Sequence, residues 1–410
     1  MNEVEGRKAF YNGSIPNDWD IMKFEKVTEV ITCGLAATPI YVDEKLGMPF
    51  FSAQNVQNGK VVYDNFKYIS FDLYNQITKN NKPQKGDLLY TRVGAGIGEA
   101  AVIDRDFDFG IYVSLTLIKP KIVLLNNLFL MYLLNSKTFK YLAKRDQFAG
   151  GGVQNLNVQV VKGFLIPLPP LSEQRAIAKI LGLMDEAINW NNEYIAKKEL
   201  SKKWLMQNLL TGKKRLKGFE GDLKERQLGE LFSERNETKY FDLPLLSVGA
   251  NGIYPQNDSI KKDTSNDDKS KYKRICPNDI GYNTMRMWQG RSALSGLEGI
   301  ISPAYTVVKP KENANSLYFS YLFKTPKMMN LFWRNSQGLV DDTLNCKYKD
   351  FSIIKVIVPY YEEQKAIATV LQAADKEIEL LKAKGEKLRE EKKGLMQVLL
   401  TGRKRVKYNI

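Results

Sequence analysis

Two stretches of the chain carry apolar positions at alternating spacings of three and four. In the first they fall on Leu181, Met184, Ile188, Asn191, Ile195, Lys198, Lys202, Leu205 and Leu209. The second answers with Leu371, Ala374, Ile378, Leu381, Gly385, Leu388, Lys392, Leu395 and Leu399. This is a heptad seam with a few polar intruders. A stripe so narrow cannot be buried from all sides, so it asks for one long partner helix, and the other stretch supplies it. Each helix of about 39 residues would span roughly 58 Å at 1.5 Å per residue, which suits a spacer rod better than a core helix. Ser172 is the expected N-cap of the first helix. Thr211-Gly212 and Thr401-Gly402 supply the glycine that ends each one, and basic runs, Lys213-Lys214-Arg215 and Arg403-Lys404-Arg405, follow where cations suit a helix C-terminus.

The two stretches are copies of one another. An offset of 190 lays Glu173 on Glu363, Leu181 on Leu371, Asp185 on Asp375, Ile188 on Ile378, Met206 on Met396 and Gly212 on Gly402 without a gap, and residues 173–217 match 363–407 at 21 of 45 positions. The chain is therefore an internal repeat. The expected organisation is a polar leader over 1–18, a globular domain over 19–168, a spacer helix within 169–217, a second domain over 218–358 and a second spacer helix within 359–410. Ile15-Pro16-Asn17-Asp18-Trp19 reads as a turn that delivers Trp19 to the first domain.

Both domains read as mixed α/β. In the first, the β-branched and aromatic residues of 86–92 and 111–118 predict strands. Residues 126–144 carry Leu128, Met131, Tyr132, Leu134, Phe139 and Leu142 at helical spacing, a glycine loop covers 149–155, and the prolines of 164–170 are expected to stop regular structure. In the second, Lys309-Pro310 falls under Lys119-Pro120, Phe319 under Phe129 and Lys327 under Lys137, Gly338 corresponds to the loop at 150–152, and Asp279-Ile280-Gly281-Tyr282 echoes Asp87-Leu88-Leu89-Tyr90. Residues 256–274 are polar and lysine-rich without a period, as in a surface loop. The helical copies stay close while the domain loops diverge, as expected of a frame that carries two different readers.

Composition narrows the function. The 410 residues contain 61 Lys plus Arg against 46 Asp plus Glu, a net charge of +15, which favours a polyanionic partner, nucleic acid first. There is no histidine, so imidazole bases, Ser-His and Cys-His pairs and histidine-bound metals are absent. Cys33, Cys276 and Cys346 are far apart and form neither a disulfide framework nor a zinc motif. With no apolar run of about eighteen residues and no apolar signal segment, a cytoplasmic protein is expected. Val93-Gly94-Ala95-Gly96-Ile97-Gly98-Glu99 misses the dinucleotide fingerprint because Glu99 stands where its third glycine belongs. Asp350, Glu363 and Lys365 mimic a nuclease set, but Glu363-Gln364 opens the second rod helix, and a helix start explains them better. No methyltransferase Asn-Pro-Pro-aromatic tetrad and no phosphate-binding Gly-Lys-Ser/Thr loop occurs. Trp190, Trp204, Trp288 and Trp333 read as packing residues, the first two against a partner subunit or the domain flanks.

The motifs Ile15-Pro16-Asn17-Asp18-Trp19, Ser52-Ala53-Gln54-Asn55-Val56-Gln57-Asn58-Gly59, residues 150–157 and, above all, Ile166-Pro167-Leu168-Pro169-Pro170-Leu171-Ser172-Glu173-Gln174-Arg175-Ala176-Ile177-Ala178 with Leu209-Leu210-Thr211-Gly212 resemble the specificity subunits of type I restriction-modification systems. The second copy, from Val358-Pro359, departs by placing Tyr360 and Tyr361 where the first has Pro170 and Leu171. The resemblance implies an α/β (α+β) fold in which two target-recognition domains are separated by two long helices packed as an antiparallel coiled coil, with an internal pseudo-two-fold. Each domain would read one half of a split, asymmetric site on double-stranded DNA, and the rod would set the gap. The subunit would have no chemistry and no cofactor of its own. Two modification subunits using S-adenosylmethionine for adenine N6 methylation and two ATP-dependent restriction subunits needing Mg2+ would dock on it, with no membrane involved.

Base edges are best read by Arg, Lys, Asn and Gln, and phosphates by Lys, Arg and hydroxyls. The candidates in the first domain are Gln54, Asn55 and Lys60 in one loop, Arg92 beside the glycine loop, and Gln154 with Asn155. In the second they are Tyr282, Asn283, Arg286, Gln289 and Arg291, with Lys261, Lys262, Lys271 and Lys273 on phosphates. The coiled-coil interface is expected to use Leu181, Met184, Ile188, Ile195, Leu205, Leu209, Leu371, Ile378, Leu381, Leu388, Leu395 and Leu399.

Overall fold

The computed structural model describes residues 6–146, 155–249, 252–258, 266–340 and 343–406. The chain forms two compact units, Met1–Asn191 with Lys384–Ile410, and Asn192–Ala383. Each unit thus takes one half of each long helix, Leu171–Leu209 and Tyr361–Leu399, both of 39 residues. The first helix opens at Leu171, so Ser172 lies inside the first turn instead of capping it. All eighteen seam positions are buried or half-buried, the lysines included. The two helices run antiparallel within each unit, for Glu173 pairs with Arg405 and Asp185 with Lys392 in one, and Glu199 with Lys382 and Lys202 with Asp375 in the other.

The first unit is built on a six-stranded sheet in the order Thr28–Cys33, Leu115–Pro120, Leu88–Thr91, Ala100–Val102, Lys60–Val61, Val56–Gln57. A four-stranded sheet stands beside it in the order Gly110–Ile111, Gly47–Phe51, Lys67–Ser70, Tyr41–Val42. In the main core Trp19, Phe24, Leu88, Tyr90, Phe129, Phe139 and Ile166 pack with Leu181 and Leu399 of the long helices. A second core is aromatic, with Phe51 stacked on Phe109 at 4.1 Å and flanked by Tyr63, Phe66 and Phe107.

Three expectations change here. The segment expected as a leader forms a hairpin, Arg7–Phe10 with Gly13–Pro16, and Arg7 donates to the carbonyls of Thr401 and Gly402. The proline-rich run after Phe164 is a strand, Leu165–Leu168, antiparallel to Asp20–Lys23. A two-stranded ribbon tolerates Pro167 because it need not donate on both edges. The single helix expected over 126–144 is two, Asn127–Leu134 and Lys137–Arg145, because the Ser136 side chain accepts from Phe139 N and starts a new helix.

The second unit repeats the central plan with fewer strands: Phe232–Glu234, Tyr305–Pro310, Ile280–Asn283, Ser292–Leu294. The registers match, Tyr90 facing Thr116 in one unit and Tyr282 facing Thr306 in the other. Asn315 caps Tyr318 N as Asn126 caps Phe129 N, and Thr325 caps Met328 N as Ser136 caps Phe139 N. The helical pairs are therefore related by 189, which puts Tyr318, not Phe319, in the place of Phe129, and Pro326, not Lys327, in the place of Lys137. The core gathers Phe232, Tyr282, Phe319, Phe323, Phe332 and Phe351 against Leu209 and Leu371.

Candidate nucleic-acid interface

The helix-end motif is a docking device. Gln174 Oε1 accepts from Asn126 N at 2.8 Å while its Nε2 donates to the carbonyls of Leu124 and Pro169, both at 2.9 Å. Gln364 makes the same three bonds with Asn315 N, Asn313 O and Pro359 O. Glu173, buried, accepts from Arg405 Nε and Nη2 at 2.7 Å and from Trp19 Nε1 at 3.3 Å. Glu363, also buried, accepts a fork from Arg215. The pairing holds both arginines even further into their charged form than usual, through the carboxylate hydrogen bond first. Asp350 is equally committed, accepting from Lys347 N at 3.2 Å. Both carboxylates of the nuclease-like set are thus buried and engaged within the protein, while Lys365 is exposed on the helix surface.

On the sheet, a turn joins the two central antiparallel strands in each unit. In the first unit it covers 92–99, with Gly94 and Gly98 at φ of +89° and +86°. A Cβ on Gly98 would lie 2.9 Å from that of Ala143, so the turn sits directly on the helix Lys137–Arg145. Glu99 Oε1 accepts from Gly59 N at 3.1 Å and ties the turn to the Gln54–Lys60 region. The corresponding turn of the second unit covers 284–291, contains the short helix Met287–Gln289, and lies on Pro326–Asn335 through Gly290 and Met329.

Three of the residues expected to read DNA are structural. Tyr282 is fully buried and stacks on Phe351 at 5.4 Å, because it shares with Ile280 the strand face that packs into the main core of the second unit. Asn55 is buried, its Oδ1 accepting from Ser52 N and its Nδ2 donating to Val62 O and Asp64 O. Arg92 spends its fork on Leu156 O, Val113 O and Asn155 Oδ1 at 2.9, 3.2 and 2.7 Å. The structure thus joins Arg92 to Asn155, but in a bond within the protein. Asn283 closes its own turn by accepting from Met285 N, and Lys273 is half-buried beside Glu234. Gln54, Lys60, Lys271, Gln289 and Arg291 are exposed and Arg286 is half-buried. Gln154, Lys261 and Lys262 lie outside the described residues.

The basic faces of the two supporting helices were not singled out from the sequence. Lys137, Lys140 and Lys144 follow helical spacing opposite buried Phe139, Leu142 and Ala143, and Lys327 and Arg334 are exposed on the second helix. Cations at i, i+3 and i+7 on a helix with an apolar opposite face were the available signal. Among the described residues no cluster of His, Cys, Asp or Glu could hold a metal ion, and no helix is long and apolar enough to cross a membrane.

The type I restriction modification DNA specificity domain matches residues 16–199 and again 220–390. The chain belongs to this family. It is 29% identical over 430 residues to the putative type I restriction enzyme MjaX specificity subunit of Methanocaldococcus jannaschii, covering 96% of both chains, and 27% identical to the MjaVIII specificity subunit of the same organism, covering 98% and 97%. The fold is that of the HsdS subunit from Thermoanaerobacter tengcongensis (TM-score 0.53, 17% identity, 95% and 98% covered) and of the type I S subunit from M. genitalium (TM-score 0.56, 15% identity, 98% and 100% covered). The chain is thus a DNA-recognition subunit of a type I restriction-modification system, and its role is non-catalytic. The two mixed α/β domains and two long helices expected from the repeat are those of the family.

Proposed function

We propose that the domains over 19–168 and 218–358 each read one half of a split, asymmetric DNA site, while the helices within 169–217 and 359–410 set the gap and dock the modification subunits. The observation that carries this is a contrast: the locks at Glu173-Gln174 and Glu363-Gln364 share the three glutamine bonds and the arginine fork, whereas the turns at 92–99 and 284–291 share almost no side chain. A repeated frame with unlike turns presents two different reading surfaces. Gln54 and Lys60 in the first, with Gln289 and Arg291 in the second, are the exposed side chains suited to base edges, and Lys137, Lys144, Lys327 and Arg334 suit phosphates.

Trp190, 70% exposed, with Leu183 and Leu200 leaves apolar surface on the first long helix, which suits a protein partner. Two modification subunits carrying S-adenosylmethionine and two ATP- and Mg2+-dependent restriction subunits would complete a cytoplasmic complex that methylates adenine N6 and restricts unmodified DNA.

The test is a base-resolution methylation map of the host genome with and without this gene, the modification subunit left in place. Loss of N6-methyladenine from one split motif with two unequal halves is the expected result. Identical maps from a host that expresses the complex would refute it.

A further inference from the structure

On each long helix one carboxylate is shared between the opposite helix and the domain. In the first unit Asp185 Oδ2 accepts from the Tyr132 hydroxyl at 2.7 Å and Oδ1 from Lys392 Nζ at 2.6 Å, and that ammonium lies 5.2 Å from the centre of the Tyr132 ring. In the second unit Asp375 Oδ2 accepts from the Tyr321 hydroxyl at 2.6 Å and Oδ1 from Lys202, whose ammonium lies 5.3 Å from the Tyr321 ring. The aspartates and lysines are related by the 190 offset, the tyrosines by the 189 offset of the helical pairs. Burial first, and then the neighbouring carboxylate, raises both phenols above their ordinary range, so they remain donors throughout the physiological range.

Energetics argue against stability as the purpose of this arrangement. Both lysines occupy seam positions where a heptad takes an apolar residue, and a polar group there fixes register at a cost in stability. The pairs are partly exposed, with Lys392 and Asp185 at 22% and 33% and Lys202 and Asp375 at 22% and 43%, so each ion pair contributes little net energy. What the arrangement supplies is direction. Apolar contact between a domain helix and the rod is non-directional and lets the surfaces slide, whereas a phenol hydrogen bond to one carboxylate oxygen fixes distance and angle.

We propose that the two Tyr–Asp–Lys braces are positioning residues that hold each recognition domain at a set angle on its pair of helices and so fix the number of base pairs between the two half-sites. This rests on the reading that the rod sets the gap. A base pair advances about 3.4 Å along the duplex, so a domain freed to move by one side-chain length changes the gap by a whole step.

The test uses the full chain reconstituted with its modification subunits. A random-sequence duplex library is incubated with methyl donor, and the methylated molecules are selected and sequenced. The wild type is expected to return one pair of half-sites at a single gap. For D185N and D375N the half-sites should be unchanged, while the share of molecules with a gap one base pair longer or shorter rises about tenfold, or ~1.4 kcal/mol of lost discrimination. Y132F and Y321F keep the ring and the ion pair, and decide the matter if the aspartate variants fail to assemble; they should broaden the gap to a lesser degree. A gap as sharp as the wild type's in the tyrosine variants and in any aspartate variant that assembles would overturn the inference, even if those variants melt earlier, and so would an altered half-site at an unaltered gap. A wild-type complex that selects no split sequence would instead overturn the reading of two half-sites, and this inference with it.

Discussion

The two ends of the recognition domains are under different constraints. At the rod, Gln174 and Gln364 make the same three hydrogen bonds, Glu173 and Glu363 each hold an arginine, and Asp185 and Asp375 each hold a tyrosine and a lysine. At the strand turns, one unit uses a glycine turn whose first residue, Arg92, bonds Val113, Asn155 and Leu156, and the other a short helical turn closed by Asn283 and Trp288. Buried polar bonds cannot drift one partner at a time, since a lone survivor is left unsatisfied, whereas turn residues facing water can. The buried Glu and Gln contacts at the long helices are thus harder to change one residue at a time than the exposed turn residues.

The sharpest way to break this comparison is to remove one arginine from each lock. R405A leaves Glu173 buried with only Trp19 donating to it, and R215A leaves Glu363 buried without its arginine. Stranding a buried carboxylate costs about 3–5 kcal/mol, and the partly exposed arginine ends place these two near the lower figure. Denaturant unfolding of the two variants should give near-equal losses, with R405A the milder because Trp19 remains. Losses differing several-fold would show that the two locks are not equivalent.

A second pair of variants separates clamp from reader. R92A leaves three acceptors without their donor and should cost about 2 kcal/mol of folding stability, with no change in which bases are selected. R291A, on the exposed turn of the second unit, should leave unfolding unchanged, cost about 1–3 kcal/mol of DNA binding and relax one position of the second half-site alone. Selection from a randomised duplex checks both. If R291A weakens every sequence alike, that side chain holds a phosphate.

What is legible in the amino-acid sequence follows the same division. The rod announces itself because a helix of 39 residues repeats its seam many times, and the duplication doubles the signal. The Glu-Gln pair was visible as a helix start, but its function as a lock depends on Arg405 and Arg215, which are 232 and 148 residues away. Tyr282 and Arg92 read as DNA contacts by residue type, which does not tell whether a strand is covered on both faces or whether a guanidinium is already engaged. The exposed turn residues can be shortlisted by type and the first supporting helix by its spacing, but that the helix lies beneath the turn shows only in packing such as Gly98 against Ala143.

Two glycines of the second long helix sharpen the comparison at its smallest scale. Gly394 is exposed and a Cβ there would meet nothing within 4 Å, so G394A should gain the full difference in helix propensity, about 1 kcal/mol. Gly385 is buried in the seam, where a Cβ would come within 2.9 Å of Asn191 Nδ2 and 3.5 Å of Arg389 Nη1. The 190 offset places Ile195 and Leu381 at the equivalent positions, so this is the one point of the seam where a polar residue and a glycine replace an apolar pair. An asparagine at such a position can specify register, and here the glycine leaves room for its amide. G385A must displace that amide before the backbone can profit, so its gain in unfolding temperature should fall well short of that of G394A, or reverse. Equal gains would mean that Asn191 turns aside freely and that the register is held elsewhere, by the aspartate–lysine pairs on either side.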